Sequence, residues 1–188
     1  MKRYLASLVI AIVGTQALSE LTVLTADPLA ARATVYQANL VRRQYGLNPL
    51  KYDQTISKAA QWMAEDLAKP EKKFSHTDSL GGGLAERLAR NGTPIGWCCE
   101  NLAAGYIDPV SVIAGWMNSP GHRANLLRSE AAVVGVGYAR SKKDNMPYYC
   151  MVFGRCDETY YPVIIDDDAP ATTCPTASLY VYGQGRMV

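Results

Sequence analysis

No excess of either charge marks this chain. Over 188 residues, 19 Lys and Arg face 17 Asp and Glu, a net charge of +2. No basic run concentrates the positive residues, so there is no electrostatic case for a nucleic-acid partner. A long apolar stretch is also lacking. The longest, Tyr4 to Val13, is interrupted by Ser7 and falls short of the roughly 20 residues that span a bilayer. No CxxC pair occurs, and neither histidine lies beside a cysteine pair, which excludes zinc-finger spacing. Gly81, Gly82 and Gly83 are not followed by the Lys-Ser/Thr of a phosphate loop. There is no GxSxG turn of the hydrolase kind. Asp166, Asp167 and Asp168 lack the spaced oxygens and glycine of a calcium loop and read as a solvated cluster. No internal repeat is visible. Histidine itself is scarce, with only His76 and His122.

What is present begins with 48% hydrophobic residues, enough for one domain with one core. Lys2 and Arg3 precede the short apolar run, and small residues follow at Ala17 and Ser19. That layout predicts a secretory signal peptide over 1–19, a secreted, extracellular mature chain, and no transmembrane segment within it. Five cysteines suit that compartment: Cys98, Cys99, Cys150, Cys156 and Cys174. All five are disulfide candidates. Five is odd, so at most two intrachain bridges can form, and the pairing is open. At least one bridge is expected to tie the Cys98–Cys99 segment or the C-terminal strand region to the rest of the domain.

Asp27 and Pro28 read as an N-cap and a first-turn proline, with helix following to about Tyr45 and Gly46 closing it. Asp53 is the next N-cap. Tyr52, Ile56, Ala59, Ala60, Met63 and Leu67 recur at three- and four-residue steps along one apolar face, until Pro70. Residues 71–83 read as a loop and Leu84–Arg90 as a short helix stopped by Gly92. Asp108 and Pro109 repeat the cap signal before Val110–Met117, and Pro120 starts a further turn of helix through Leu127. The period then changes. Ala132–Ala139 and Tyr148–Gly154 predict two strands of an antiparallel hairpin. After Arg155 the composition shifts, giving a domain over 28–156 and a C-terminal extension over 157–188. Helices around a hairpin make an α+β or a three-layer α/β/α domain.

His76, His122 and Glu100, the last in the segment ENLAAG, are a plausible ligand set for one divalent ion with open positions. Each histidine sits in a polar, glycine-flanked segment and is expected off the core face. Two exposed loop histidines are the competing reading.

FSHTD at Phe74–Asp78, ENLAAG at Glu100–Gly105 and WMNSPGHRANLL at Trp116–Leu127 occur in an order and spacing that resemble the CAP superfamily. That group comprises cysteine-rich secretory, antigen 5 and pathogenesis-related group one proteins, and GHRANLL is similar to its bacterial and fungal branch. The resemblance covers about Val35 to Arg155. It implies an α/β/α sandwich with an antiparallel sheet and a shallow cleft where two histidines and two acids meet. His76, Glu100 and His122 match three of these, and Ser119 stands where the second acid would fall. The implied cofactor is a divalent metal such as zinc, on His76, His122 and Glu100, and none is required.

Asn91-Gly92-Thr93 is a glycosylation sequon. Trp62 and Trp116 are expected in the core or beneath the cleft, and Trp97 partly exposed. No catalytic residue is assigned. The functional expectation is a non-enzymatic, secreted binder of a small lipid, a sterol or fatty acid, between the helices Pro28–Tyr45 and Asp108–Met117. The alternatives are a defence, virulence or signalling factor acting through an extracellular protein partner, and a metal-dependent hydrolase or protease.

Overall fold

The computed structural model describes residues 26–93, 96–155 and 180–181. The signal segment, Cys156, Cys174 and the acidic cluster at 166–168 lie outside the described residues. In chain order the elements are α1 (Ala26–Gln44), β1 (Lys51–Tyr52), α2 (Gln54–Leu67), α3 (Leu84–Arg90) and β2 (Trp97–Ala104). They continue with α4 (Pro109–Asn118), α5 (Pro120–Leu126), β3 (Val133–Arg140), β4 (Pro147–Arg155) and β5 (Tyr180–Val181).

Strand order across the sheet is β1-β3-β4-β2-β5. The three central strands are antiparallel, with Val133 opposite Gly154 in the β3–β4 hairpin and Cys98 opposite Gly154 between β2 and β4. The two short edge strands pair in parallel, β1 on β3 and β5 on β2, so the sheet is mixed rather than purely antiparallel. Tyr180 and Val181 thereby attach part of the expected C-terminal extension to Trp97 and Cys98.

Each face of the sheet carries its own core. On one, Ala31, Val35 and Ala38 of α1 and Val112, Ile113 and Trp116 of α4 pack against Met151 and Phe153. On the other, Ile56, Ala60, Met63 and Leu67 of α2 and Leu84 and Leu88 of α3 cover Cys98, Leu102, Cys150 and Val152. Alternate residues of β2 and β4 supply the two faces. This is the expected α/β/α sandwich.

The cap signals translate directly. Asp53 accepts from the N–H groups of Thr55 and Ile56 at 2.8 Å each, and Asp108 from that of Ser111 at 2.8 Å. Gly46 and Gly92 close α1 and α3 with φ of +69°. Two other glycines act differently. A Cβ on Gly135 or Gly137 would sit 2.3–2.6 Å from atoms of Ile56, Ser57, Ala60 and Gln61. The VGVG pattern of β3 therefore lets α2 lie flush on the strand.

Three strands were not expected: the two-residue edge strands β1 and β5, and the eight-residue β2. WCCENLAA forms β2, the strand between β4 and β5, and its six residues Cys98–Ala103 are buried. A strand covered on both faces has no period-two alternation to betray it, and Glu100 and Asn101 in its middle mask the apolar run.

Candidate functional site

Successive residues of a strand point to opposite faces, and β2 uses this at Glu100 and Asn101. Glu100 is 2% exposed and takes partners from the α2–α3 side. Its Oε1 lies 2.7 Å from Nδ1 of His76. Its Oε2 accepts from Nη2 of Arg87 and, at 3.3 Å, from the Cys150 thiol. Asn101, fully buried, turns to the α5 side, where its Nδ2 donates to the carbonyl of His122 at 3.0 Å and its Oδ1 accepts from Asn125 at 2.9 Å. Ser119, the residue between α4 and α5, has its hydroxyl 2.8 Å from Nδ1 of His122. The structure thus joins His76 to Glu100 and Ser119 to His122, with both pairs attached to β2 at consecutive residues.

The loop that carries His76 is held by two buried carboxylates. Asp66 accepts from Ser79 N–H at 2.9 Å and from Lys69 at 2.6 Å. Asp78 accepts from Leu80 N–H and Gly82 N–H at 2.9 Å each, and pairs with Arg90. Burial pushes both carboxyls up, but these hydrogen bonds and cations outweigh it and leave both below the ordinary value. A glycine-rich loop is in this way fixed from within.

His122 departs from expectation. Its segment is polar in sequence, yet the residue is 0% exposed. It lies in the first turn of α5, which Pro120 starts, with Ser119 immediately before that helix and its hydroxyl 2.8 Å from Nδ1 of His122. Trp116 is fully buried as expected, its indole N–H donating to the Leu102 carbonyl at 3.2 Å. Trp97 is half-buried beneath Arg128, 4.9 Å from ring centre to guanidinium carbon. Trp62 is not a core residue. It is half-buried, flanked by Lys69 and Arg90, and lines a groove of about 550 Å³ with Ala31, Tyr52, Ser57, Gln61 and Val136.

Glu100 remains ionised inside the protein. Burial raises its pKa, the His76 hydrogen bond and the Arg87 charge lower it, and the lowering wins. Cys98, Cys99 and Cys150 depart from the expectation of disulfide candidates: they are buried free thiols, and among the described residues no bridge holds the Cys98–Cys99 segment. Burial lifts Cys98 to about 12 and the other two further, so none is a thiolate nucleophile at neutral pH. Asn91 ends α3, with its amide donating to the Arg87 carbonyl at 2.8 Å, and Thr93 of the same sequon is 2% exposed.

A family model described as "CAP: Cysteine-rich secretory protein family" matches residues 35–153. The chain belongs to the CAP family. The Bacillus subtilis protein YkwD is 34% identical over 110 residues, 58% of this chain and 42% of its own length. An extracellular SCP-domain protein of Bacillus anthracis superposes with a TM-score of 0.61 at 30% identity, covering 69% of this chain and 41% of that one. An outer surface protein of Borrelia burgdorferi superposes with a TM-score of 0.58 at 26% identity, covering 64% of this chain and 88% of that one. The chain thus spans about two fifths of the length of YkwD and of the Bacillus anthracis protein.

The CAP resemblance implies a divalent metal on His76, Glu100 and His122. The donor chemistry of this chain does not fit that set. Both oxygens of Glu100 are committed to His76, Arg87 and Cys150, and a neutral hydroxyl, Ser119, stands at the second acidic position. Among the described residues, no group of three or more His, Cys, Asp or Glu side chains is arranged to hold a metal ion.

Sequence reasoning passed over Arg87, Asn101 and Asn125. Arg87 had a signal: with Leu84 and Leu88 it lies on one helix face, so it belongs to the buried side of α3. Asn101 and Asn125 had none, because an asparagine reads the same in a loop and in a core.

Proposed function

We propose that this CAP-family chain acts outside the cell as a non-enzymatic binding protein for a small lipid, such as a sterol or fatty acid. One observation carries the non-enzymatic part: the ionisable groups of the cleft bond to each other. The Glu100 carboxylate is enclosed by His76, Arg87 and Cys150, and a general base must instead meet a substrate proton. The extracellular setting is supported by the signal-like N-terminus and by the relatives described as extracellular or outer-surface proteins. Among the described residues, no helix is long and apolar enough to cross a membrane.

The expected place for the lipid is between α1 and α4. Ala31, Val35, Ala38, Val112, Ile113 and Trp116, the inward faces of those helices, are 0–7% exposed in one shared core. The groove beside α2 is the better seat. Its volume of about 550 Å³ falls within the roughly 300–1,000 Å³ typical of ligand sites. Trp62, Tyr52 and Val136 give it apolar wall, and Lys58 offers a charged group for a headgroup.

Titration of delipidated protein with a fluorescent fatty acid and a fluorescent sterol tests this reading. Saturable binding that Trp62→Ala weakens at least tenfold is the expected result. No saturable binding of either probe would refute it. A second reading, an extracellular protein partner, is favoured by Ile107 and Val110, 76% and 60% exposed beside the start of α4. Unaltered lipid binding by Ile107→Ser/Val110→Ser would separate that surface from the groove.

A further inference from the structure

Arg87 is 0% exposed, and its guanidinium closes a ring of contacts. Nη2 pairs with Oε2 of Glu100, Oε1 of Glu100 meets Nδ1 of His76, and Nη1 donates to the backbone carbonyl of His76 at 3.2 Å. Each of the three residues therefore holds the other two. The arrangement uses the fork of arginine, with two nitrogens directed at two acceptors, which a lysine ammonium does not reproduce. It also answers an energetic demand. A carboxylate this deeply buried is costly unless a positive charge lies beside it. A divalent ion would meet that demand in a metal site. Here a side chain of the protein meets it, and arginine keeps its charge throughout the biological pH range.

We propose that Arg87 takes the place of a divalent cation beside Glu100, so that the cleft of this CAP protein is built to hold its shape without metal. A metal approaching Glu100 would enter a space already occupied by a permanent positive charge and would have to displace the bonds that orient His76. The inference is independent of the lipid reading, since it concerns the charge balance of the cleft and not the groove beside α2.

The experiment is zinc titration by calorimetry at pH 7.5, with circular dichroism to verify folding of each variant. Wild type and Glu100→Gln should bind zinc within twofold of each other, because Glu100 is no ligand while Arg87 is present. Arg87→Met should gain at least tenfold in zinc affinity, and Arg87→Met/Glu100→Gln should lose that gain. Nitrogen-15 spectra of the wild type provide a readout that needs no variant: the Arg87 side-chain and His76 ring signals should be unmoved by one equivalent of zinc. A tenfold loss of zinc affinity in folded Glu100→Gln would overturn the proposal. So would a folded Arg87→Met with no gain, or a zinc-induced shift of the Arg87 signal in the wild type.

Discussion

Arg42 shows what one residue can do when its charge is buried without a carboxylate. It is 0% exposed on α1, and its guanidinium donates to the carbonyls of Asn48, Leu126 and Arg128 at 2.9 Å and of Ala131 at 3.3 Å. Desolvation lowers its pKa, yet it bonds four carbonyl dipoles at once. These carbonyls belong to the turn after α1, the last residue of α5 and the segment joining α5 to β3, so one side chain ties two connections together. Arg42→Met should preserve most of the packed stem and leave the Asn48, Leu126 and Ala131 carbonyls without the donor they now have, while the Arg128 carbonyl keeps the Ala131 N–H. Buried unsatisfied groups cost about 1–3 kcal/mol each, and partial relaxation makes about 3 kcal/mol a fair total. Urea denaturation should show a lower midpoint, and an unchanged midpoint would mean that water replaces the guanidinium without loss. The periodicity of Val35, Ala38 and Arg42 on α1 already places the residue inward. Its acceptors, 84 to 89 residues away for all but Asn48, are beyond any local pattern.

At the scale of the element, α2 and β3 fit each other in two ways. Gly135 and Gly137 let the helix backbone touch the strand, and α2 then supplies hydrogen bonds that a neighbouring strand would otherwise make. Gln61 accepts from Tyr138 N–H and donates to Tyr138 carbonyl, both at 3.0 Å, and the Ser57 hydroxyl accepts from Val136 N–H at 3.2 Å. Beyond the two residues paired with β1, this edge of β3 is thus occupied by side chains. Unpaired strand edges invite association between chains. Gln61→Ala should leave the Tyr138 groups open and promote concentration-dependent self-association, visible by light scattering coupled to gel filtration. A variant that is folded and monomeric at millimolar concentration would remove the guarding role. Gly137→Ala should be harsher, because its Cβ would meet backbone atoms of Ala60 at 2.3 Å. Overpacking of that kind costs about 1–3 kcal/mol or more. Thermal unfolding of Gly137→Ala should show a clear drop in Tm, whereas Gly46→Asn, at a φ favourable to Asn, should lose little.

Over the whole molecule, the carboxylates that hold the His76 loop and the middle of β2 are expected to set the tolerance of acid. Glu100, Asp66 and Asp78 are buried, and each has a pKa depressed below its ordinary value of 4.5 or 3.8 once burial is outweighed by its hydrogen bonds and cations. The folded protein therefore holds these protons more weakly than the unfolded chain does. The stability they contribute is fully present above about pH 5 and is lost as the pH falls through the depressed values. Denaturation midpoints should be flat from about pH 5 to 7 and fall steeply below about pH 4. Asp78→Asn should flatten that fall and start from a lower plateau. A profile for Asp78→Asn parallel to the wild type would show that Asp78 plays no part in it.

The sequence determined by itself the features with local causes. Capping aspartates, closing glycines and the apolar face of α2 depend on residues within a few positions of one another, so helix ends and the hairpin were legible. The motifs around His76, Glu100 and His122 carried the family for the same reason, being short and in order. The tertiary structure alone decided that WCCENLAA is a strand enclosed on both faces, and that His122 is buried. It also decided that Glu100 belongs to Arg87 as much as to His76. These depend on contacts between residues 11 or more positions apart, and burial turns a polar residue from a surface feature into a partner whose charge must be met.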